Sequence, residues 1–226
     1  MQKQQSKLKK KFPPIFSLSK VIILICFFNS LFAIAQSRYE TNESYKIFVG
    51  INIVDDSFTK TNKAFNIEEE WNMATYPSYF GFNMHVIDDF SAESVVTFNQ
   101  YKSGKLVNGK YINNAMEYFA MDVMAKYEFR TFYEPLFEIH NFSPFLVTGL
   151  GMSTINNKIY TNLNYGFGFY FWFRDDYTDC NCGSSFGLTK FVKNLGIVAQ
   201  TIGKSNLNGS SEGNHIQHTI GLAYRF

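Results

Sequence analysis

The stretch NLNYGFGFYFWF, residues 162–173, alternates between two kinds of side chain. One set is uniformly apolar and consists of Leu163, Tyr165, Phe167, Phe169, Phe171 and Phe173. The set between them is small, polar or amphipathic and consists of Asn162, Asn164, Gly166, Gly168, Tyr170 and Trp172. A period of two residues is typical of a β-strand, whose successive side chains point to opposite faces. This stretch therefore predicts a strand with one apolar face.

The same alternation returns in seven other segments, separated by polar residues, and no sustained helical rhythm is found after Gln36. Within segment 143–155, Gly149 and Gly151 blur the two faces, and there we expect Leu146, Leu150 and Met152 to point outward. The sequence thus predicts an all-β protein with eight strands, at 45–53, 79–86, 92–99, 119–129, 143–155, 162–173, 195–201 and 215–226.

Composition narrows the class of protein. In a chain of 226 residues, 46% belong to the AVILMFWYC set and the mean hydropathy is −0.15, which excludes a bundle of membrane helices. Aromatic residues make up 18% of the chain and charged residues also 18%, so many rings must face something other than water. Three cysteines are too few for a disulfide scaffold.

The first 35 residues have the features of a secretion signal. Six lysines up to Lys20 precede an apolar run at 21–28, and Ala33-Ile34-Ala35 forms an A-x-A cleavage site. An uncleaved anchor is the alternative, but the apolar stretch is shorter than the roughly 20 residues of a spanning helix. We therefore predict a signal peptide at 1–35 and one β-barrel domain at 36–226.

Cleavage after Ala35 changes the net charge. It removes six of the 21 basic residues and none of the 19 acidic ones, which leaves 15 basic against 19 acidic residues and a net charge of −4. A mildly acidic protein has no basic footprint for nucleic acid, so no nucleic-acid partner is predicted.

Eight strands with one apolar face each, after a secretion signal, match a transmembrane barrel, whose strands need about 9–11 residues. Closure is required because an open sheet edge in lipid leaves backbone groups without hydrogen bonds. A secreted β-sandwich is the competitor, but the apolar faces carry more Phe and Tyr than one sandwich core needs. The opposite faces are glycine-rich, as a narrow barrel interior requires. The predicted fold is an eight-stranded antiparallel up-and-down transmembrane β-barrel.

Four segments carry a resemblance to a known family: SPFLVTGLGM (143–152), NLNYGFGFYFWF (162–173), LGIVAQTIGKSN (195–206) and NHIQHTIGLAYRF (214–226). They resemble the small bacterial outer-membrane barrels of the outer-membrane protein A and porin-family type. The resemblance implies an outer-membrane location and contact with outer-membrane lipid and lipopolysaccharide. It also implies a C-terminal signal for the barrel-assembly machinery, for which the candidates are Leu222, Tyr224 and Phe226. No peptidoglycan-binding domain is expected after the barrel.

The alternating path of such a chain predicts which connections share one end of the barrel. Residues 54–74, 102–116, 156–161 and 205–213 are expected on the outside, and 87–89, 130–142 and 174–193 on the periplasmic side. Short periplasmic turns are the norm, and the last two inner connections depart from it. Residues 131–140 fit a short amphipathic helix at the interface as an alternative.

Six charged residues fall on the inward faces: Lys46, Glu93, Asp122, Lys126, Glu128 and Arg225. Charges in a lumen too narrow for bulk water must pair, because an unpaired buried ion costs several kcal/mol. We therefore predict an internal network of ion pairs that plugs the barrel. A small gated pore is the less favoured alternative, since eight strands leave room only for side chains.

His218 invites comparison with eight-stranded barrels that transfer or remove acyl chains of lipid A by means of a histidine and a serine. Its neighbour Thr219 lies on the opposite strand face, outside hydrogen-bond reach. Ser205 and Ser210 can approach it only through tertiary structure. We therefore predict no catalytic residue and interpret His218 as an interfacial or loop-proximal residue.

Two polar segments outside the strands each have a structural and a functional interpretation. Cys180 and Cys182 lie beside acidic residues, but no second Cys or His pair at zinc spacing follows, so a local disulfide or paired thiols is favoured over a metal site. In the first outer loop, acidic residues at 68–70 precede Trp71, which either anchors a partner or packs back on the rim. No metal and no cofactor are predicted.

These features predict a non-enzymatic outer-membrane barrel with a structural or interaction role in the cell envelope. A component of a protein-secretion or gliding apparatus is the main alternative, because the long inner connections offer a surface to periplasmic partners. A lipid A-modifying enzyme and a small gated pore are less favoured. The sequence identifies neither ligand nor oligomeric state.

Overall fold

The computed structural model describes residues 45–56, 67–129, 141–173, 191–192, 194–209 and 213–226. The strands, in chain order, are β1 (Tyr45–Asp55), β2 (Trp71–Met73), β3 (Tyr79–Ile87), β4 (Phe90–Tyr101), β5 (Leu106–Val107), β6 (Lys110–Tyr111), β7 (Met116–Glu128), β8 (Phe142–Ile155), β9 (Lys158–Trp172), β10 (Leu195–Asn206) and β11 (His215–Arg225). One helical turn, α1 (Ile67–Glu70), precedes β2.

The eight long strands form a closed barrel. Each is antiparallel to the next in the order β1-β3-β4-β7-β8-β9-β10-β11. The last strand pairs with the first from Lys46 opposite Arg225 to Asp55 opposite Ile216, which closes the sheet. Closure leaves no barrel strand with an open edge, so the backbone groups along each strand are paired on both sides. The predicted eight-stranded antiparallel barrel is confirmed.

The two faces of the strands lie where the alternation predicts them. In β1, Lys46 and Phe48 are buried inside the barrel, whereas Ile47 and Val49 point outward and are exposed. In β8, the expected outward residues Leu146, Leu150 and Met152 are exposed, although two glycines interrupt the pattern there. Side-chain alternation thus places polar groups inside and apolar groups outside.

Two predicted outer loops are wrong in extent. β9 begins at Lys158, so the connection predicted at 156–161 is a two-residue turn, in which Asn156 and Asn157 have φ angles of 48° and 65°. Asparagine tolerates this left-handed conformation, as tight hairpins require. β10 continues to Asn206 rather than ending before residue 205. Both strands extend beyond the apolar part of their sequence, so hydropathy alternation underestimates their length.

The two larger outer loops carry structure of their own. β2 adds to β1, with Trp71 opposite Asp55, and β5 and β6 form a hairpin with Leu106 opposite Tyr111. The Tyr111 hydroxyl donates a hydrogen bond to Glu69 Oε1 at 3.1 Å, which ties this hairpin to α1. The outer loops therefore brace one another above the barrel.

Several predictions lie outside the described residues. They are the signal peptide at 1–35, the amphipathic segment at 131–140 and the pair Cys180 and Cys182. In the part of the chain that the structure describes, no helix is long and apolar enough to cross a membrane.

Candidate functional site

The centre of the lumen is built around Lys126 of β7. Its ammonium group forms an ion pair with Glu93 of β4, and neither side chain has any exposed surface. Lys126 Nζ also donates a hydrogen bond to the Tyr170 hydroxyl at 2.6 Å and lies 3.8 Å from the centre of the Phe145 ring. A charge removed from water is thus compensated by a carboxylate, a hydroxyl and an aromatic face.

A second ion pair lies nearer to the end of the barrel that is predicted to be periplasmic. Lys46 of β1 pairs with Glu128 of β7, and its Nζ lies 4.7 Å from the centre of the Tyr170 ring. At the same end, the Arg225 guanidinium lies 4.6 Å from the centre of the Trp172 ring. The cationic groups at this end thus lie over aromatic ring faces, which attract positive charge.

A third ion pair lies nearer to the outer end, and one of its members was missed in the sequence. Lys204 Nζ of β10 lies 2.6 Å from Asp122 Oδ2, and Asn164 donates a hydrogen bond to Asp122 Oδ1 at 2.7 Å. Lys204 was missed because the predicted strand ended at Thr201. Counting on by twos from Gln200 would have found it, since 200, 202 and 204 share the inward face.

Neutral groups fill the space between these pairs. Gln200 Nε2 donates to the Tyr79 hydroxyl at 2.5 Å, in the middle of the barrel. Towards the outer end, the Tyr118 hydroxyl lies 2.8 Å from His215 Nε2 and donates to Gln217 Oε1 at 3.3 Å. Polar contacts thus continue from the middle of the lumen to its outer end, where Tyr118 packs against Val54 and Tyr101 in an apolar cluster.

Among the described residues, the side chains at the centre of the lumen are packed too closely for water to reach them. At successive levels of the lumen, five inward-facing side chains are 0% exposed: Lys126, Tyr170, Tyr79, Asn164 and Gln217. Side chains that line a water-filled channel would instead be exposed to that water. An eight-stranded barrel has an interior that side chains can fill, and here they do.

The structure places all six predicted lumen residues inside the barrel and buried. It brings Lys126 to Glu93 and Lys46 to Glu128, and it gives Asp122 a partner, Lys204, that the sequence interpretation lacked. The sixth, Arg225, is packed on Trp172 at the inner end.

A second polar cluster lies on the outward face, at the outer end of the barrel. His218 of β11 stands opposite Thr201 of β10 in the strand register, and Thr201 Oγ1 lies 3.0 Å from His218 Nδ1. The other ring nitrogen, Nε2, lies 3.3 Å from Oδ2 of Asp55, at the end of β1. Trp71 of β2 covers the cluster, with its ring centre 5.0 Å from that of His218. Of the two roles considered for Trp71, packing against the barrel is the one observed.

A cavity of about 470 Å³ lies beside this cluster. Asp55 and Thr201 line it together with outward-facing residues of three strands, among them Tyr165, Phe167, Gly203 and Ile216. At the cavity, the Tyr165 ring packs over Gly203, where a methyl group would lie 3.0 Å from the ring.

The candidate assembly residues lie on the last strand. Leu222 and Phe226 point outward and are more than half exposed. Tyr224 is half-buried, stacked on Phe191 with ring centres 5.3 Å apart and in edge contact with Phe226 at 4.9 Å. They form an aromatic and aliphatic stripe on the inner half of the barrel wall.

The described residues contain no group of three or more His, Cys, Asp and Glu side chains that could hold a metal ion.

Among known proteins, similarity to this chain is found only in solved structures. No family model and no curated protein matches the sequence. Three solved structures each match 81% of this chain. Two are from Pseudomonas aeruginosa: the N-terminal β-barrel domain of OprF, with 11% identity, 98% of that chain covered and a TM-score of 0.45, and the outer membrane protein OprG, with 11% identity, 96% covered and a TM-score of 0.49. The third is Ail, the attachment invasion locus protein of Yersinia pestis, crystallised with the heparin analogue sucrose octasulfate, with 12% identity, 97% covered and a TM-score of 0.40. In fold, the chain is similar to small eight-stranded outer-membrane barrels, as the resemblance in its sequence predicted.

Proposed function

We propose that this protein is a bacterial outer-membrane barrel with a sealed lumen and a structural or interaction role in the cell envelope. The observation that carries the proposal is the inverted distribution of polarity: buried ion pairs inside and an exposed apolar wall outside. This proposal gives the lumen no catalytic and no transport role.

The apolar wall supports membrane insertion. Large apolar side chains on seven of the eight barrel strands are more than 40% exposed, among them Val49, Phe80, Val123, Leu150 and Phe167. A water-soluble monomer rarely exposes a continuous apolar surface of this extent, whereas lipid chains cover it without cost.

Aromatic side chains near the periplasmic end support the same placement. Phe90 and Tyr127 lie with ring centres 4.8 Å apart, and Phe142 and Phe169 lie 5.1 Å apart on the neighbouring strands. Outer-membrane barrels carry such aromatic girdles at the interface between lipid and water, where amphipathic rings are favoured. We infer that this end of the wall meets the inner leaflet boundary.

The sealed lumen leads to the first prediction. Refolded protein in planar lipid bilayers should produce no conductance steps, because the passage is blocked by side chains with no exposed surface. A general porin, measured in the same bilayer, is the positive control. Reproducible steps from the purified protein would mean that the lumen opens, and would replace the sealed barrel by the gated-pore alternative.

A role in a secretion or gliding apparatus is a second candidate function, favoured by the inner connections. β7 ends at Glu128 and β8 begins at Phe142, while β9 ends at Trp172 and β10 begins at Leu195. Both connections are much longer than the turn at Asp88 and Asp89 between β3 and β4. Short turns suffice to join neighbouring strands, so the additional length is available for contact with periplasmic proteins.

Crosslinking in cells tests this candidate. A photo-reactive residue in place of Val192, which is exposed at the inner end of the barrel, should capture the same periplasmic or secretion proteins in repeated experiments. The matched control is the same residue in place of Leu207, which is exposed in an outer loop. Capture of general chaperones alone from position 192 would leave the envelope barrel without a machinery role.

Assembly and lipid contacts belong to the same proposal. The exposed stripe of Leu222, Tyr224 and Phe226 is our candidate signal for the barrel-assembly machinery. The outward wall is proposed to contact outer-membrane lipid, with lipopolysaccharide on the side of the large outer loops.

A further inference from the structure

The outer-wall cluster joins three chemically distinct groups in series: a hydroxyl, an imidazole and a carboxylate. Thr201 Oγ1 and Asp55 Oδ2 lie on opposite ring nitrogens of His218, at 3.0 Å and 3.3 Å. This connectivity is the one a nucleophilic hydroxyl needs, since one ring nitrogen accepts its proton while the carboxylate orients the ring through the other. The three residues come from β10, β11 and β1, which only closure of the barrel makes neighbours.

The carboxylate is held in place by its surroundings. Asp55 is buried at the end of β1, where β2 pairs with it through Trp71, and the Trp71 ring packs on His218. His218 retains 20% of its side-chain surface, and Thr201 lines the open cavity. Asp55 is thus buried, His218 is largely covered and Thr201 lines the cavity, which is an arrangement suited to a reaction at Thr201.

The cavity indicates the class of substrate. Its lining combines the apolar side chains of Tyr165, Phe167 and Ile216 with polar residues, among them Thr201, Asp55, Ser205 and Asn214. The Tyr165 ring packs over Gly203, where a methyl group would lie 3.0 Å from it. Tyr165, Phe167, Thr201, Ile216 and Asp55 lie on the outward faces of neighbouring strands, continuous with the apolar wall. An acyl chain with a polar head beside Thr201 fits a cavity that joins apolar and polar lining on this face.

We propose that Thr201, His218 and Asp55 form a hydrolytic site for the acyl ester of an outer-leaflet lipid. The site rests on the membrane placement proposed above and goes beyond the structural role. Thr201 is the nucleophile, His218 the general base and acid, and Asp55 the positioning residue.

The reaction proceeds in two balanced steps. Thr201 Oγ1 bonds to the ester carbonyl carbon and its proton passes to His218 Nδ1; the ester C–O bond breaks, and the departing alcohol oxygen takes that proton. Water then adds to the acyl-threonine, with His218 accepting a proton and returning it to Thr201 as the fatty acid leaves. The Asp55 carboxylate stabilises the imidazolium that forms in both steps.

Purified full-length protein, refolded in detergent micelles, provides the first test with p-nitrophenyl decanoate as the probe. Thr201→Val and His218→Gln should lower the hydrolysis rate by about 100-fold or more, because each removes the hydroxyl or the proton acceptor. Thr201→Ser keeps the hydroxyl and should retain activity within about tenfold of the parent protein. Asp55→Asn should lower kcat with little change in KM, which a merely structural effect on the cavity would not produce.

Two controls keep the test interpretable. Thr148→Val removes a hydroxyl from the exposed outward face of β8, outside the cluster, and should leave the rate unchanged. Each variant must also retain the heat-dependent shift in gel mobility that marks a folded barrel, so that loss of activity is not loss of fold. Equal rates for Thr201→Val and the parent protein would overturn Thr201 as nucleophile.

Two further experiments distinguish which membrane lipid supplies the acyl ester. Vesicles of lipopolysaccharide and vesicles of phosphatidylethanolamine are incubated separately with the protein, and released fatty acid is identified by mass spectrometry. Release from one of them that depends on Thr201 assigns the source. A folded, membrane-inserted protein that hydrolyses neither vesicle lipid nor the p-nitrophenyl ester overturns the site and leaves the membrane placement intact, whereas a protein that does not insert into vesicles contradicts the placement itself.

Discussion

Replacing Lys126 by methionine is expected to lower the free energy of unfolding by about 3–5 kcal/mol. Methionine keeps much of the length of the lysine stem but removes the ammonium group that pairs with Glu93. Glu93 has no exposed side-chain surface, so its charge would remain in the lumen without its main compensation. The hydrogen bond to the Tyr170 hydroxyl and the contact with the Phe145 ring would be lost as well.

Denaturant unfolding in detergent micelles measures this loss, with Trp172 in the lumen as a fluorescent probe near Tyr170. The matched control is the double variant Lys126→Met with Glu93→Gln, which removes both charges and should recover most of the stability, because no ion is then left unpaired at these two positions. A single variant that loses less than about 1 kcal/mol would show that water reaches Glu93 and that the lumen is not sealed.

Placing an arginine at Leu150 is expected to destabilise the inserted barrel by about 2–4 kcal/mol. Leu150 lies near the middle of β8, opposite Val123 and Leu163, and its side chain is 57% exposed on the outward face. In a membrane, the guanidinium would lie close to the middle of the hydrocarbon region. In water, the same exposed position would accept arginine at little cost.

The matched variant is Leu207→Arg, since Leu207 is 53% exposed but belongs to an outer loop. Its expected cost is close to zero, because the loop lies outside the hydrocarbon region. Unfolding of both variants in lipid vesicles, followed by the heat-dependent gel shift, gives the comparison. Equal stability of the two variants would contradict the membrane placement of the apolar wall and support a water-soluble barrel.

The strands and their faces could be predicted because the relevant information is local. Residues two apart in a strand share a face whatever the rest of the chain does, so the alternation in 162–173 was sufficient to orient Phe167 and Tyr170 correctly. The alternation was insufficient at the strand ends, where inward-facing polar residues continue although the outward-facing residues are no longer consistently apolar. For this reason Lys204 was missed, the start of β9 was placed too late and the end of β10 was placed too early.

The candidate sites depended on tertiary structure to different degrees. The sequence identified Lys126 and Glu93 as inward charges of opposite sign, but their pairing required the register of β4 against β7. For His218, the sequence offered only the adjacent Thr219, which lies on the other face. Its actual hydroxyl partner is Thr201, its opposite neighbour on β10.

By itself, the sequence determined that this protein forms strands with one apolar and one polar face, because that property depends on residues two positions apart. Only the tertiary structure decided which polar groups meet. Asp55 and His218 are separated by 163 positions along the chain and become neighbours because the last strand closes on the first. In the membrane placement proposed above, closure is required because every backbone group in lipid must be paired, and no local pattern of side chains records the contacts that closure creates.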